Sequence, residues 1–424
     1  MQILRHTLPP LLPTIPYRWL WASQCLSVAG IIMTRLALGW FTLTLTDSAL
    51  WVGGAAVFDG AGKLGAGLFA GALIDSLGAK RAALISQLVL SLSAITIGML
   101  IVSNQVVLWE VLAASIVIGG TDALLAAATS TMTVEIVGHT QIIKAGSLQA
   151  LGFNLARTVG AAMAGNIIYN WGIGYCYLTA GVSALLGVAM LALVEGDFYP
   201  TDTRNSLTNL VIEGYRYIHK IPALRQVILA STIVEFFAFS HYLIMPVLAR
   251  DVLGTNSTGL GYITAAGGVG AIVGAVTTSG FKTTKQIGAL LWAVALGAAA
   301  ILVVFALSKW YLLSLVLAAV LGSLLSAYDV IMWSLVQLLS PSTIRGRISS
   351  VYTMTFGAAS LGGYLAGMIA GYAGAQVAIA SGGIVIIIFL ITLAKPLYRI
   401  QPETVGLEKI SIPNSVVSRS TEIE

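Results

Sequence analysis

Residues 71–81 read Gly-Ala-Leu-Ile-Asp-Ser-Leu-Gly-Ala-Lys-Arg, a short polar segment between two long apolar stretches. Each flanking stretch can supply the roughly 20 apolar residues that a bilayer-crossing helix needs. The segment is therefore predicted to be a tight loop between two membrane-spanning helices. Its notable positions are two glycines that we expect to end helices, one acid and a basic pair: Gly71, Asp75, Gly78, Lys80 and Arg81.

The composition excludes a soluble protein. The chain has 424 residues, of which 57% are hydrophobic and only 9% are charged, whereas soluble domains carry roughly 25% charged residues. Long uninterrupted apolar runs indicate helices, because the strands of a membrane barrel would alternate apolar and polar residues. The formal charge of +5 comes from 22 basic against 17 acidic residues. We expect no nucleic-acid partner, because the basic residues lie in loops.

Apolar runs between polar residues predict twelve membrane-spanning helices. We place them at about 17–45, 48–71, 82–103, 106–135, 145–169, 173–194, 222–250, 258–280, 286–307, 310–339, 346–371 and 374–396. Basic residues are enriched in cytoplasmic loops. With both termini cytoplasmic, 17 of the 22 basic residues fall on the inner side, two on the outer side and three within spans. We therefore predict an all-α, multi-pass protein of the bacterial inner membrane with both termini in the cytoplasm.

The longest polar stretch divides the predicted spans six and six. The predicted domains are a cytoplasmic tail (1–16), an N-terminal six-helix bundle (17–194), a cytoplasmic linker (195–221), a C-terminal six-helix bundle (222–397) and a second cytoplasmic tail (398–424). The linker carries apolar residues at helical spacing. This pattern predicts either an amphipathic helix on the membrane surface or an ordinary linker helix.

The G-x-x-x-D-x-x-G-x-K-R spacing of residues 71–81 resembles the signature loop between helices 2 and 3 of the major facilitator superfamily of transporters. Further patches are similar to its bacterial drug- and siderophore-exporter branch, the group of the enterobactin exporter and the macrolide efflux proteins. They are residues 210–217, Asn154-x-x-Arg157-x-x-Gly160, Leu243-x-x-Pro246-Val-Leu-Ala-Arg250 and Arg345-Gly-Arg347. The resemblance extends to about residue 397 and implies two pseudo-symmetric six-helix bundles.

Three departures from the superfamily pattern bear on its mechanism. Residues 115–120 of the fourth span lack the arginine that proton-driven members often carry there, although Arg157 on the fifth span could supply a similar charge. Gly160-Ala161 stands where antiporters often have Gly-Pro. The counterpart of the signature loop, residues 280–285, contains no acid. We therefore expect an asymmetric gate.

Ionisable residues inside the spans form the candidate site, because each costs about 2.5–3.5 kcal/mol or more to place in the membrane. In the superfamily, helices 1, 4, 7 and 10 line the central cavity, and each of these four predicted spans carries one such residue here. We assign substrate or proton binding to six residues: Arg35, Asp59, Asp122, Arg157, Glu235 and Asp329. Lys63 is a seventh buried charge. It lies four residues after Asp59, so the pair could instead form a purely structural bridge within one helix.

The seven buried charges comprise four acids and three bases, which leaves one acid unmatched. An unpaired carboxyl in a low-dielectric medium favours its protonated form and can exchange a proton near neutral pH. We therefore hypothesise that Glu235 or Asp122 carries the coupling proton. Aromatic residues follow Glu235 at 236–242. They predict either ordinary packing or a pocket for a bulky, partly apolar and even cationic substrate.

The resemblance also implies a role for the signature loop. In the family, the loop acid sits against the N-terminus of helix 11, where unpaired backbone N–H groups attract a carboxylate. By this analogy Asp75 would latch the two halves together on the cytoplasmic side and favour the outward-open state. The set assigned to this latch is Gly71, Asp75, Gly78, Lys80, Arg81 and Arg345.

The leading functional hypothesis is a secondary active transporter that exports a small amphipathic molecule by alternating access, as a proton-coupled antiporter. The alternative is a proton-coupled uptake carrier of the same fold. We predict no catalytic residues, because no nucleophile–base set or phosphate-binding loop is present in the sequence. No metal site and no cofactor are expected, with the proton gradient as the energy source. The expected partners are a small-molecule substrate and the lipid bilayer, and the expected state is a monomer.

Overall fold

The computed structural model describes residues 14–196, 198, 215–279, 287–341 and 345–392, and every regular element among them is helical. The helices, numbered in chain order, are α1 (Ile15–Thr46), α2 (Ala49–Leu77), α3 (Ala79–Val102), α4 (Leu108–Gly138), α5 (139–171), α6 (Ile173–Ala192), α7 (Pro222–Val252), α8 (Ser257–Ser279), α9 (Ile287–Leu307), α10 (Tyr311–Leu339), α11 (345–373) and α12 (Ala375–Thr392). Residues 215–220 are also helical. Most of the predicted linker, both tails and the loop at 280–285 lie outside the described residues.

The helices account for the twelve predicted spans. Ten of them are long and apolar enough to cross a membrane by length and composition alone. The other two are α5 and α11. The latter is interrupted by a 3₁₀ turn at Thr355–Gly357, between Arg345–Met354 and Ala358–Ala373. The chain is a multi-pass membrane protein with an all-α fold.

The polar segment at residues 71–81 is tighter than the sequence predicts. Because α2 continues to Leu77 and α3 begins at Ala79, Gly78 alone separates them, with φ 83° and ψ 146°. A glycine adopts this positive φ without steric cost. The expectation that Gly71 ends a helix was wrong: Ala72, Leu73 and Ile74 continue the helix through it.

The fourth and fifth helices are joined without the predicted loop. Helical structure runs from Leu108 to Trp171, broken only at Gly138, where φ is 67° and ψ is 172°. The predicted fourth span therefore ended too early, at residue 135, and the predicted fifth span began too late, at residue 145. The polar residues between them are compatible with helix once a single glycine supplies the change of direction.

Close contacts at small residues hold neighbouring helices together. Gly270 and Gly274 of α8 lie against the carbonyls of Ala319 and Ser323 of α10, at separations that leave no space for a Cβ atom. Small residues allow such approach of membrane helices. Gly67 of α2, by contrast, faces open space. The division into two six-helix bundles stays a prediction.

Helix α7 is irregular along its length. It contains two π-helical turns, Glu235–Phe239 and Leu248–Val252, on either side of a segment that includes Pro246. Proline removes a backbone hydrogen bond from a helix, and π turns occur frequently at functional sites. The first π turn displaces the helix at the position of Glu235.

Candidate functional site

A cavity of about 520 Å³ lies among α1, α4, α5, α7, α8 and α10. Its lining on α1 spans residues 21–31, in the first half of that helix, and on α4 it spans 122–130, in the second half. On α5 it spans 146–157, again in the first half. Successive helices run in opposite directions, so these segments share one end of the bundle, the end where α1 begins. With the predicted orientation, that end is the cytoplasmic one.

The opposite end of the bundle is closed by contacts between early and late helices. A Cβ atom added to Gly53 of α2 would lie 2.4 Å from the carbonyl oxygen of Gly363 of α11. A Cβ atom added to Gly165 of α5 would lie 2.4 Å from the carbonyl oxygen of Ser257 of α8. Backbones this close leave no channel between them. The structure is therefore open towards the end where α1 begins and closed at the other end.

An ion pair spans the closed end. Arg250, at the end of α7, places Nη2 2.6 Å from Oδ1 of Asp47, which follows α1. The same guanidinium donates to the carbonyl of Leu43 at 3.4 Å and lies 2.6 Å from Asp251. Asp47 is largely exposed. Arg250 therefore connects α1 and α7 on the side away from the cavity.

Three of the predicted site residues, Arg35, Asp59 and Asp122, form one charge cluster with Lys63 on α1, α2 and α4. Arg35 donates from Nη2 to Oδ2 of Asp122 at 2.6 Å, and its Nε lies 3.4 Å from Asp59. Lys63 lies 3.3 Å from Asp59 and 3.6 Å from Asp122. The predicted contact between Asp59 and Lys63 within one helix is present. Two bases and two acids balance, so the cluster carries no net charge.

This cluster changes which acid is unmatched. Asp122 accepts from Arg35 and lies near Lys63, so it does not fit the hypothesis of an unpaired proton carrier. The remaining buried charges are Arg157, Glu235 and Asp329, again with one acid in excess. The surplus acid therefore belongs to α7 and α10.

Glu235 and Asp329 lie in a second polar cluster. Glu235 is 5% exposed, and Asp329 and Lys63 act on it electrostatically. Oδ1 of Asp329 and the hydroxyl of Tyr328 are buried without a hydrogen-bond partner in the described structure. Unsatisfied polar atoms in a low-dielectric region are costly. The cluster is therefore a place where an exchangeable proton would stabilise the protein.

Arg157 reaches across the cavity to the later helices. Its guanidinium carbon lies 4.2 Å from the centre of the Tyr242 ring, in cation–π geometry. Tyr242 and Phe239 line the cavity, as predicted for a pocket, but Glu235 does not. The predicted combination of aromatic faces with the acid at 235 is therefore replaced by aromatic faces with Arg157. His241 is buried with Nδ1 against the Ala238 carbonyl.

The residues assigned to the latch occupy the open end of the bundle. Lys80 is in the first turn of α3, where Nζ donates to the carbonyls of Val194 at 2.7 Å and Ala192 at 3.3 Å. It thus stabilises the C-terminal end of α6, a role that the sequence did not predict. The side chain of Arg345 lies outside the described residues. The latch between Asp75 and α11 stays a prediction.

Sequence reasoning missed the neutral polar lining of the cavity. Gln149 donates to Gln24 at 3.2 Å, and Asn154 lies one turn before Arg157. An uncharged amide in an apolar run is itself a signal of a polar contact inside the membrane. The contact of Asp47 with Arg250 could not be found in this way, because Asp47 follows the first predicted span and a charged residue is ordinary in a loop.

Residues 6–414 match the transmembrane secretion effector family. The chain belongs to that family. Within the major facilitator superfamily, the chain falls in the drug- and siderophore-exporter branch. Its relatives and its fold are those of transporters, not of enzymes.

Two characterised relatives illustrate the branch. The chain is 30% identical to the multidrug efflux pump Tap of Mycolicibacterium fortuitum over 364 residues, which are 82% of this chain and 87% of Tap. It is 25% identical to the enterobactin exporter EntS of Escherichia coli O1:K1 over 262 residues, 60% of this chain. The match spans 61% of the length of EntS.

Solved structures support the fold of the chain. A peptide transporter POT in complex with sulfate superposes with a TM-score of 0.71 at 13% identity, covering 91% of this chain and 96% of that one. A D-xylose-proton symporter superposes with a TM-score of 0.69 at 12% identity, covering 91% and 98%. At these identities the likeness concerns the fold alone. The predicted fold class is confirmed.

Proposed function

We propose that this protein exports a small amphipathic molecule by alternating access and exchanges it for protons. The observation that carries the proposal is the one-sided cavity, which reaches Asp122, Arg157 and Asp329 and is closed at its far end by Gly53 and Gly165. A transporter of this kind binds cargo while one side is open and releases it after the other side opens. The names of Tap and EntS support export.

Proton exchange is assigned to Glu235 and Asp329. Two bases act on these acids: Arg157 on Asp329, and Lys63 on Glu235. Lys63 already meets Asp59 and Asp122, so Arg157 is the base without a carboxylate partner in the described structure. Two carboxylates close together in low dielectric do not both ionise readily. One proton held between them would therefore leave as the cavity changes its exposure to water.

The proposed setting is the bacterial inner membrane, with both termini cytoplasmic and the protein acting as a monomer. In this orientation the cavity faces the cytoplasm, which is the side from which an exporter loads its cargo. No cofactor is proposed, since a proton gradient can supply the free energy.

The test is uptake of fluorescent drugs and siderophores into inside-out vesicles, with and without a pH gradient. Export in cells corresponds to uptake in these vesicles, and we expect uptake only when the vesicle interior is acidic. Glu235→Gln and Asp329→Asn should remove the dependence on the gradient. Glu110→Gln, at an exposed acid that caps its own helix through the Val107 N–H, is the matched control. Gradient-driven movement in the opposite direction would support the uptake carrier and reject export.

A further inference from the structure

Arg157 is the one basic residue among those that line the described cavity. The other two basic side chains in the spans, Arg35 and Lys63, are both engaged by Asp59 and Asp122. Arg157 has no ion pair and no hydrogen bond in the described structure, and its contact is the Tyr242 ring. A permanently charged guanidinium with unmet N–H donors thus faces the cavity within the membrane.

This arrangement requires an acceptor. A guanidinium inside a membrane protein is costly unless acceptors or water satisfy its five N–H groups. Asp329 lines the same cavity, but it forms no ion pair with Arg157 in the described structure and keeps Oδ1 without a partner. Tyr242 contacts one face of the guanidinium, so its edge is the part left for hydrogen bonds. Planar guanidinium edges bind carboxylate, sulfonate and similar oxyanions through paired hydrogen bonds.

We infer that the cargo is an organic anion with an aromatic or other apolar body, and that Arg157 binds its anionic group. This inference rests on the proposed function and specifies the class of molecule that the exporter carries. The apolar body would lie along Phe239, Tyr242, Phe153 and Trp21, which line the same cavity as Arg157. It replaces the expectation of a cationic substrate, which placed Glu235 beside the aromatic residues. In the structure Arg157 holds that position, and the cavity-lining Asp122 is already paired with Arg35.

The experiment compares two dyes that share one body. Anilinonaphthalene sulfonate and N-phenyl-naphthylamine differ by the sulfonate group, and their fluorescence reports binding to the full-length protein in nanodiscs after subtraction of empty nanodiscs. Ethidium is the cationic probe. We expect the wild type to bind the sulfonate dye about tenfold more tightly than the neutral dye, as a charge-assisted hydrogen bond would give.

The variants separate charge from geometry. Arg157→Gln should reduce the ratio of the two affinities to about one, and Arg157→Lys should restore part of it, because lysine keeps the charge but lacks the planar edge. Lys309→Gln removes a basic residue that is exposed outside the spans and should leave the ratio unchanged. If Arg157→Gln does not fold, the affinity ratios of the wild type and of Arg157→Lys still show whether Arg157 binds the sulfonate.

The possible failures are distinguishable. A wild-type ratio near one, a ratio that Arg157→Gln leaves unchanged, or tighter binding of ethidium would overturn the anion site, while gradient-driven export in vesicles would still support the transporter. Conversely, a ratio that depends on Arg157 without any gradient-driven movement would keep the anion site and reject the export function.

Discussion

The contact of Gly53 with α11 allows one prediction to be worked out from the structure. In Gly53→Ala the new Cβ would lie 2.4 Å from the carbonyl oxygen of Gly363 and 3.1 Å from the Cα of Gly367. Both neighbours are backbone, so no side chain can move aside. The closed end of the bundle must therefore separate, or α2 must shift, before the methyl group fits.

The size of the effect follows from the cost of overpacking, which is about 1–3 kcal/mol. This cost falls only on the conformation in which α2 and α11 touch. The ratio of the conformation open at that end to the conformation closed there should therefore rise by about fivefold to 150-fold. Gly54→Ala is the matched control, because a Cβ at Gly54 meets nothing within 4 Å and both changes alter helix propensity equally.

The assay is labelling of Ala49→Cys by a membrane-impermeant maleimide in whole cells, with Cys25 and Cys176 replaced. Ala49 is buried at this interface, where its carbonyl approaches Gly367. Gly53→Ala should accelerate labelling, and Gly54→Ala should not. Equal labelling rates in the two variants would refute the assignment of this contact to the closed end. Slower labelling in Gly53→Ala would do the same.

Three further predictions use the same preparation. Asp47→Asn removes the carboxylate that meets Arg250. Because Asp47 is largely exposed, the pair is worth about 0.2–1 kcal/mol, so labelling should rise less than in Gly53→Ala. In 0.5 M salt, where the screening length is about 4 Å, Asp47→Asn and the wild type should be labelled at the same rate. Asp75→Asn should lower labelling by favouring the state open at the cytoplasmic end, and unchanged labelling would reject the latch. Asp122→Asn should lower the melting temperature in detergent by removing the acceptor of Arg35, at a cost of about 3 kcal/mol or less for this partly exposed pair. Adding Arg35→Gln should recover part of that loss, and strictly additive losses would show that the two residues are uncoupled.

Features that repeat within one helix were predictable from the sequence. The twelve helices follow from runs of about 20 apolar residues, and the contact of Asp59 with Lys63 follows from their spacing of four. Both depend on the local geometry of a helix, which neighbouring residues determine. The helix ends were less predictable, as Gly71 shows, because a glycine permits a helix end without requiring one.

Contacts between helices were not predictable from spacing. Arg35 and Asp122 are 87 residues apart, and Arg250 reaches Leu43 across 207 residues. The sequence identified the charged residues inside the membrane, but it could not show that Asp122 is paired and Glu235 lies outside the cavity. As a result, the ion pairs were needed to assign the surplus acid to α7 and α10, and its role as proton carrier stays a prediction.

The sequence by itself determined that this chain is a multi-pass helical membrane protein with charged residues in its spans, because apolar length and charge placement are properties of the chain itself. Its transporter class came from the resemblance carried by residues 71–81. The tertiary structure alone decided which charges neutralise each other, which end of the bundle is closed and that Arg157 faces the cavity beside Tyr242. These depend on how helix surfaces that are distant in the chain pack together. That packing is set by side-chain and backbone shape over the whole bundle.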